Sequence, residues 1–157
     1  MRHSYIVALG SNMRIARIGP PPRVIDAALV ALELADAEVV EVSPIISSRP
    51  VGPSQRLYAN AAALVKSDEE PLDFLASLQS IEGDFGRRRR GARWRSRPID
   101  LDIVLWSGGV WHSADLIIPH PLFRERDFVA APTAAIAPDW RDPISGLTMR
   151  QIAARVP

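Results

Sequence analysis

The sequence predicts an α+β fold, a split β-α-β sheet with helices packed on it, and three observations lead there. Apolar residues alternate with period two in some segments and recur every three or four residues in others. These segments follow the order strand, helix, strand, strand, helix, strand. The chain is 157 residues long, 47% hydrophobic and 24% charged, which suits one domain over residues 1–157 with a real core.

Tyr5 to Leu9 reads as a buried first strand, stopped by the turn-forming trio Gly10, Ser11 and Asn12. Met13 to Arg23 holds Gly19 and three prolines and reads as a loop. Pro22 then opens a helix to about Leu34, with Ile25, Ala28, Leu29 and Leu32 on one face. Val39, Val40 and Val42, running on to Ile45 and Ile46, form a second strand, broken by the Arg49–Pro53 loop. Tyr58 to Lys66 alternates as a third strand. Pro71 opens a second helix with the stripe Leu72, Leu75, Leu78, Ile81 and Phe85, ended by Gly83 and Gly86. A polar connection, Arg87 to Pro98, leads to a fourth strand at Ile99–Trp106. Ser107, Gly108 and Gly109 turn the chain toward Val110 and Trp111, and Leu116–Ile118 is a short strand ending at Pro119-His120-Pro121. Helices follow at Leu122–Ala131 and Thr148–Arg155, the second with Thr148 and Gln151 placed as a capping box.

Composition narrows the function. The net charge is +1, so no global field points to nucleic acid or a membrane. Cysteine is absent, which excludes disulfides and thiolate metal sites. The apolar run at Tyr5–Leu9 is too short for a signal peptide, and nothing approaches the roughly 20 apolar residues of a membrane span. A cytosolic enzyme is therefore expected. The basic residues are nearly all arginine: Lys66 is the single lysine, and seven arginines crowd into residues 87–97. The planar guanidinium fork suits phosphate oxygens.

Asp100 and Asp102 carry the sharpest chemistry. On a strand, residues i and i+2 share a face, so both carboxylates project together while Ile99, Leu101 and Ile103 point to the core. Two such acids repel unless a cation lies between them, and magnesium accepts one or two carboxylates plus waters and substrate phosphates. Alone, the pattern favours two solvent-facing acids. Arg87, Arg88, Arg89, Arg90, Arg93, Arg95 and Arg97, with Trp94 among them, favour a nucleotide-dependent transferase over that bland reading. Two further readings stay open on residue chemistry. One is an arginine-rich single-stranded RNA-binding module using phosphate contacts and stacking; the other is a magnesium-dependent nuclease.

Gln79 and Glu82 stand three apart on the second helix, away from the Leu75/Leu78 stripe, as a polar face or, beside the aspartate strand, as groups that read a base edge or hold an arginine in place. His120, stiffened between two prolines and followed by Arg124 and Arg126, is placed to donate to phosphate, whereas His3 and His112 have no such company. Tyr58 and Asn60 share a strand face that suits a flat heterocycle, or ordinary packing.

In order along the chain come Gly10-Ser11-Asn12, the Arg49–Pro53 loop before Tyr58 and Asn60, Gln79 with Glu82, Gly86-Arg87, the block Trp94 to Asp102, and Pro119-His120-Pro121 with Arg126 and Phe128. Over nearly its full length the chain thereby resembles the 6-hydroxymethyl-7,8-dihydropterin pyrophosphokinase family. The resemblance implies a three-layer, ferredoxin-like βαββαβ core, an antiparallel sheet with helices on both sides. It implies transfer of the terminal diphosphate of ATP to the pterin hydroxymethyl group with release of AMP, in folate biosynthesis. By position, Asp100 and Asp102 would bind two magnesium ions, with Arg97 and Arg87 beside the reacting phosphates. Gln79, Arg89, Trp94, Arg97, Ile103, His120 and Arg126 would line the ATP site. Ser48, Val51, Tyr58, Asn60 and Phe128 would hold the pterin, and Glu82 would support the site. A monomer that binds small molecules, neither nucleic acid nor membrane, is expected. The chain departs from the family pattern at its long Met13–Arg23 loop and at Arg49, Asp115, Ile117 and Pro121.

Overall fold

Residues 2–48, 57–86 and 98–157 are described in the structure, a computed structural model. The first strand, β1, runs His3–Ser11, longer than the alternation suggests. Gly10 and Ser11 remain in the strand, and Ser11 and Asn12 are buried, so the trio is the strand's end and not a free turn. The expected loop is shorter than its composition implies. Ile15 and Gly19 exchange backbone hydrogen bonds in a tight turn, and α1 already starts at Pro21, spanning Pro21–Leu34. Proline is at home there, because the first helical N–H groups have no partner to lose.

The anticipated second strand is two, β2 (Glu38–Val42) and β3 (Ile46–Ser48). The break falls at Ser43-Pro44-Ile45, since Pro44 has no N–H for a ladder. Buried Ser43 fills the gap: its N–H donates to Ala62 O at 2.9 Å and its hydroxyl accepts from the Ala62 N–H at 2.9 Å. β4 spans Tyr58–Ser67. In α2 (Pro71–Asp84) the buried stripe is Pro71, Phe74, Leu78 and Ile81. Leu72 faces solvent instead, and Gly83 lies within the helix. β5 is Asp100–Trp106, followed by the ribbon of β6 (Trp111–His112) and β7 (Ile117–Ile118). The helix expected at Leu122–Ala131 divides into a 3-10 turn, Phe123–Glu125, and α3, Asp127–Ile136, because Arg126 between them is extended. α4, Met149–Arg155, opens on the anticipated Thr148/Gln151 capping box.

The main sheet has the order β2-β4-β1-β5 with β3 also on β4, and every pairing is antiparallel. Alternation along the strands sorts the side chains into two cores. Tyr5, Val7, Leu9, Ala63 and Leu101 meet α1 and α2 on one face, where Tyr5 stacks on Phe74 at 4.1 Å. Ile6, Ala62, Val104 and Leu105 meet Phe123, α3 and α4 on the other. Helices thus cover both faces. β5 is left as an edge strand, and the segment after β7 runs along it, with the His120 N–H donating to Val104 O at 3.0 Å.

Candidate active site

Strand alternation in β5 does what the period of two demands. Leu101 and Ile103 are buried against the α1/α2 layer, while Asp100 is half-buried and Asp102 exposed on the opposite face. In register, Asp102 lies beside Ala8 and Asp100 beside Gly10, which in turn lies beside Asn60. Gly10 matters for what it lacks. A Cβ there would stand 3.4 Å from Asn60 Oδ1 and 3.7 Å from Tyr58 Cδ1, so glycine keeps the row from Asn60 to Asp100 open.

Between the two aspartates, the Leu101 N–H donates to Glu82 Oε2 at 2.9 Å. Glu82 is only 7% exposed, which corrects its reading as part of a polar helix face. A buried amide at a sheet edge needs an acceptor, and a carboxylate from α2 supplies one. Gln79, one turn earlier, is exposed. The helix therefore straps the strand by one of the pair and presents the other to solvent.

A pocket of about 280 Å³ opens along β5, with Asp102 and His120 as polar groups and Leu75, Ile103, Leu116 and Ile117 among its apolar wall. Asp115 and Pro121 also line it, so with Ile117 three of the departures from the family pattern fall here. Leu75, expected as part of a core stripe, is a pocket residue as well. His120 Nδ1 accepts the Leu122 N–H at 3.1 Å, which leaves the ring proton of the neutral imidazole on Nε2. Burial lowers the His120 pKa below its ordinary value; Asp102 pulls it upward and Arg126 pushes it down. A neutral imidazole with one outward donor is the result. The Arg126 guanidinium lies over the Phe128 ring, 5.7 Å from its centroid.

A second group sits where β3 meets β4. The buried Asn60 amide donates to Ser48 Oγ at 2.6 Å and, more weakly, toward Tyr58 O at 3.4 Å. Ser48 pairs in register with Tyr58, so Ser48, Tyr58 and Asn60 form one polar corner. The open row through Gly10 connects this corner to Asp100. Arg87, Arg89, Trp94, Arg97 and Val51 lie outside the described residues, as do Arg49 and the rest of the arginine run. Among the described residues no three His, Asp or Glu side chains gather as a metal site.

One polar cluster went unnoticed in the sequence. His3 is buried, its Nδ1 accepting from Trp106 Nε1–H at 3.2 Å and its Nε2 bonded to Glu70 Oε1 at 3.0 Å. The signal was available, because His3 is in phase with Tyr5, Val7 and Leu9 on the inward face of β1.

An antiparallel sheet covered by helices on both faces, with paired carboxylates on one strand face beside an edge-strand pocket, defines a small α+β domain with an acidic, partly apolar binding cleft. The family model for 7,8-dihydro-6-hydroxymethylpterin-pyrophosphokinase (HPPK) matches residues 6–138, and the chain belongs to that family. It is 38% identical over 155 residues to the 2-amino-4-hydroxy-6-hydroxymethyldihydropteridine pyrophosphokinase of Synechocystis sp., covering 98% of this chain and 76% of the relative. To the protein of that name from Pseudomonas aeruginosa it is 39% identical over 153 residues, covering 96% and 90%. Nothing in these relatives supports the RNA-binding alternative. In fold, the chain matches wild-type Plasmodium falciparum HPPK-DHPS, crystallised with pteroate, at a TM-score of 0.76 and 12% identity. That match covers 99% of this chain and 42% of the other. Among the described residues no helix is long and apolar enough to cross a membrane.

Proposed function

We propose that this chain transfers the terminal diphosphate of ATP to the hydroxymethyl group of 6-hydroxymethyl-7,8-dihydropterin, releasing AMP. The observation that carries the reading is the Asp100/Asp102 pair on one face of β5, inside a family match running from residue 6 to 138. The hydroxyl oxygen forms a bond to the β-phosphorus, the bond from that phosphorus to the α,β-bridging oxygen breaks, and the hydroxyl proton is lost to solvent. AMP carries away the bridging oxygen.

The donor set fits magnesium, since hard carboxylate oxygens on one face leave other coordination positions for water and phosphate. Two such ions, held by Asp100 and Asp102, would neutralise the polyphosphate and lower the pKa of the attacking hydroxyl. The protein's own part is mainly positioning. Ile103 and the apolar pocket wall shelter the nucleotide base, and His120 Nε2–H donates to a phosphate oxygen. Gln79, Arg89, Trp94 and Arg126 complete the ATP side, with Arg87 and Arg97 following the charge on the transferred group. Ser48, Val51, Tyr58, Asn60 and Phe128 hold the pterin. Asn60 is oriented by Ser48, so its amide presents a fixed pattern to a heterocycle edge. Glu82 holds the strand between the aspartates. We read the sheet order as that of a ferredoxin-like βαββαβ core forming one pyrophosphokinase domain, acting as a cytoplasmic monomer without nucleic acid.

The test is incubation with ATP, magnesium and hydroxymethyldihydropterin, followed by separation of the nucleotides. AMP is expected in equal amount to the diphosphorylated pterin. ADP as the product, or unchanged ATP, would remove this function.

A further inference from the structure

The turn that carries His120 and Arg126 has little local structure to hold it. Its regular part is one 3-10 turn of three residues; the His120 N–H donates to Val104 O, the Leu122 and Phe123 N–H groups bond back to His120, Phe123 is buried, and α3 begins at Asp127. The middle is held from elsewhere. Arg124 Nε and Nη2 donate to Asp142 Oδ2 and Oδ1 at 2.6 and 2.8 Å, a two-pronged pairing across 18 residues of chain. Asp142 is fully buried and also accepts from Ser145 Oγ–H at 2.6 Å and Ile144 N–H at 3.1 Å. Its backbone is fixed too, with N–H on Leu147 O and C=O accepting from Gly146 N–H, both at 2.8 Å. The Arg124 guanidinium in turn lies 4.6 Å from the centroid of Phe123, a fully buried ring.

Stability alone is a poor reason for such a pair, because well-packed apolar residues often stabilise an interior as well. A fork-to-carboxylate contact supplies orientation instead. The pairing also commits the Arg124 guanidinium to Asp142, so of the turn's two arginines Arg126 is the one that approaches His120 and Phe128. We propose that Arg124 and Asp142 are a positioning pair that presets His120 and Arg126 for the polyphosphate of the nucleotide. This rests on the diphosphate-transfer reading above. The link to His120 is short: Leu122, whose N–H fixes the His120 tautomer, is two residues from Arg124.

The experiment compares wild type with Arg124→Lys, Asp142→Asn and the double variant Arg124→Met/Asp142→Leu. The double variant strands no buried charge, so it keeps a folded protein in the comparison. Wild-type ¹⁵N spectra of the His120 ring should show an unprotonated Nδ1 and a protonated Nε2, as the Leu122 N–H bond to Nδ1 requires. All three variants are expected to mix the tautomers and to raise KM for ATP about tenfold, the scale seen when an orienting partner is lost, with KM for the pterin within about twofold. Ile152→Val, in the same apolar layer, should lower the melting temperature and leave both readouts alone. Variants that melt earlier but keep the wild-type His120 spectrum and the wild-type ratio of the two KM values would reduce the pair to a structural one and overturn the proposal. If wild type releases no AMP, the transfer reading fails separately, and the His120 spectrum, which needs no turnover, still decides whether the pair sets the turn.

Discussion

β1 and β5 run side by side past two polar groupings, and the two are finished in opposite ways. At the His3/Trp106 end every polar group closes on a neighbour: Trp106 donates to His3, His3 bonds Glu70, and the buried Tyr5 hydroxyl donates to Glu69 O at 2.7 Å. At the Asp100/Asp102 end the row between the strands holds Gly10 instead of a side chain, and Asp102 points into an open pocket. Histidine, tryptophan and glutamate would look catalytic in a bare inventory of residue types. Closure separates the two ends, since a polar group shut in among protein partners holds the fold, whereas one that lines an open pocket, as Asp102 does, can hold a ligand.

The largest expected effect is at the open end. Asp100→Ala and Asp102→Ala should each lower the rate of AMP formation by roughly 10³-fold, the scale of losing a group that stabilises developing charge. The melting temperature should stay near wild type, because neither side chain belongs to the apolar clusters. Circular dichroism melts beside turnover measurements make the check. Near-normal turnover in either variant would take the metal-binding role from that residue.

How far the sequence discloses these ends depends on the range of the interaction. The aspartate pair is legible because a strand's period of two is local, and the capping box of α4 is legible for the same reason. The strand break at Pro44 is equally local, in hindsight, since a missing N–H is a property of one residue. Glu82 was not legible. An acid on an amphipathic helix looks solvated until the edge strand it meets presents the Leu101 N–H. Asp142 is the same case, for Asp-Pro-Ile-Ser-Gly reads as a turn while its partner Arg124 stands 18 residues back. The arginine run at residues 87–97 lies outside the described residues.

A pH titration of stability sharpens the contrast, because closed polar groups should register there. Burial by itself would raise the Asp142 pKa, but hydrogen bonds from Arg124, Ser145 and Ile144 and the charge of Arg124 outweigh it, holding the carboxyl at about 2 against an ordinary 3.8. The folded protein thus binds this proton less readily than the unfolded chain. The stabilisation is fully present above pH 3.8 and is lost as the pH falls through about 2. Its size is about 2 kcal/mol by linkage. Urea melts across the acid range should show that loss in wild type, and Asp142→Asn should flatten the part of the slope it contributes. An unchanged slope would mean that the pair does not discriminate between the charged and neutral carboxyl.

The smallest effect tests the closed end itself. Trp106→Phe keeps an aromatic ring against Trp111, now met edge-on at 5.9 Å, but removes the donor to His3 Nδ1. His3 is 6% exposed, so water replaces that donor poorly, and about 1–2 kcal/mol of stability should go. Turnover and both KM values should remain within about twofold, since the change touches no residue facing the pocket, and a stability loss confined to a closed cluster leaves rates alone when the folded state still dominates. The decisive comparison is Trp106→Phe against Asp102→Ala in the same pair of assays. A tenfold fall in turnover with Trp106→Phe would show that β5 transmits displacement from its closed end to its open one. The two ends would then be one mechanical unit, and closure alone would no longer tell structural polar groups from functional ones.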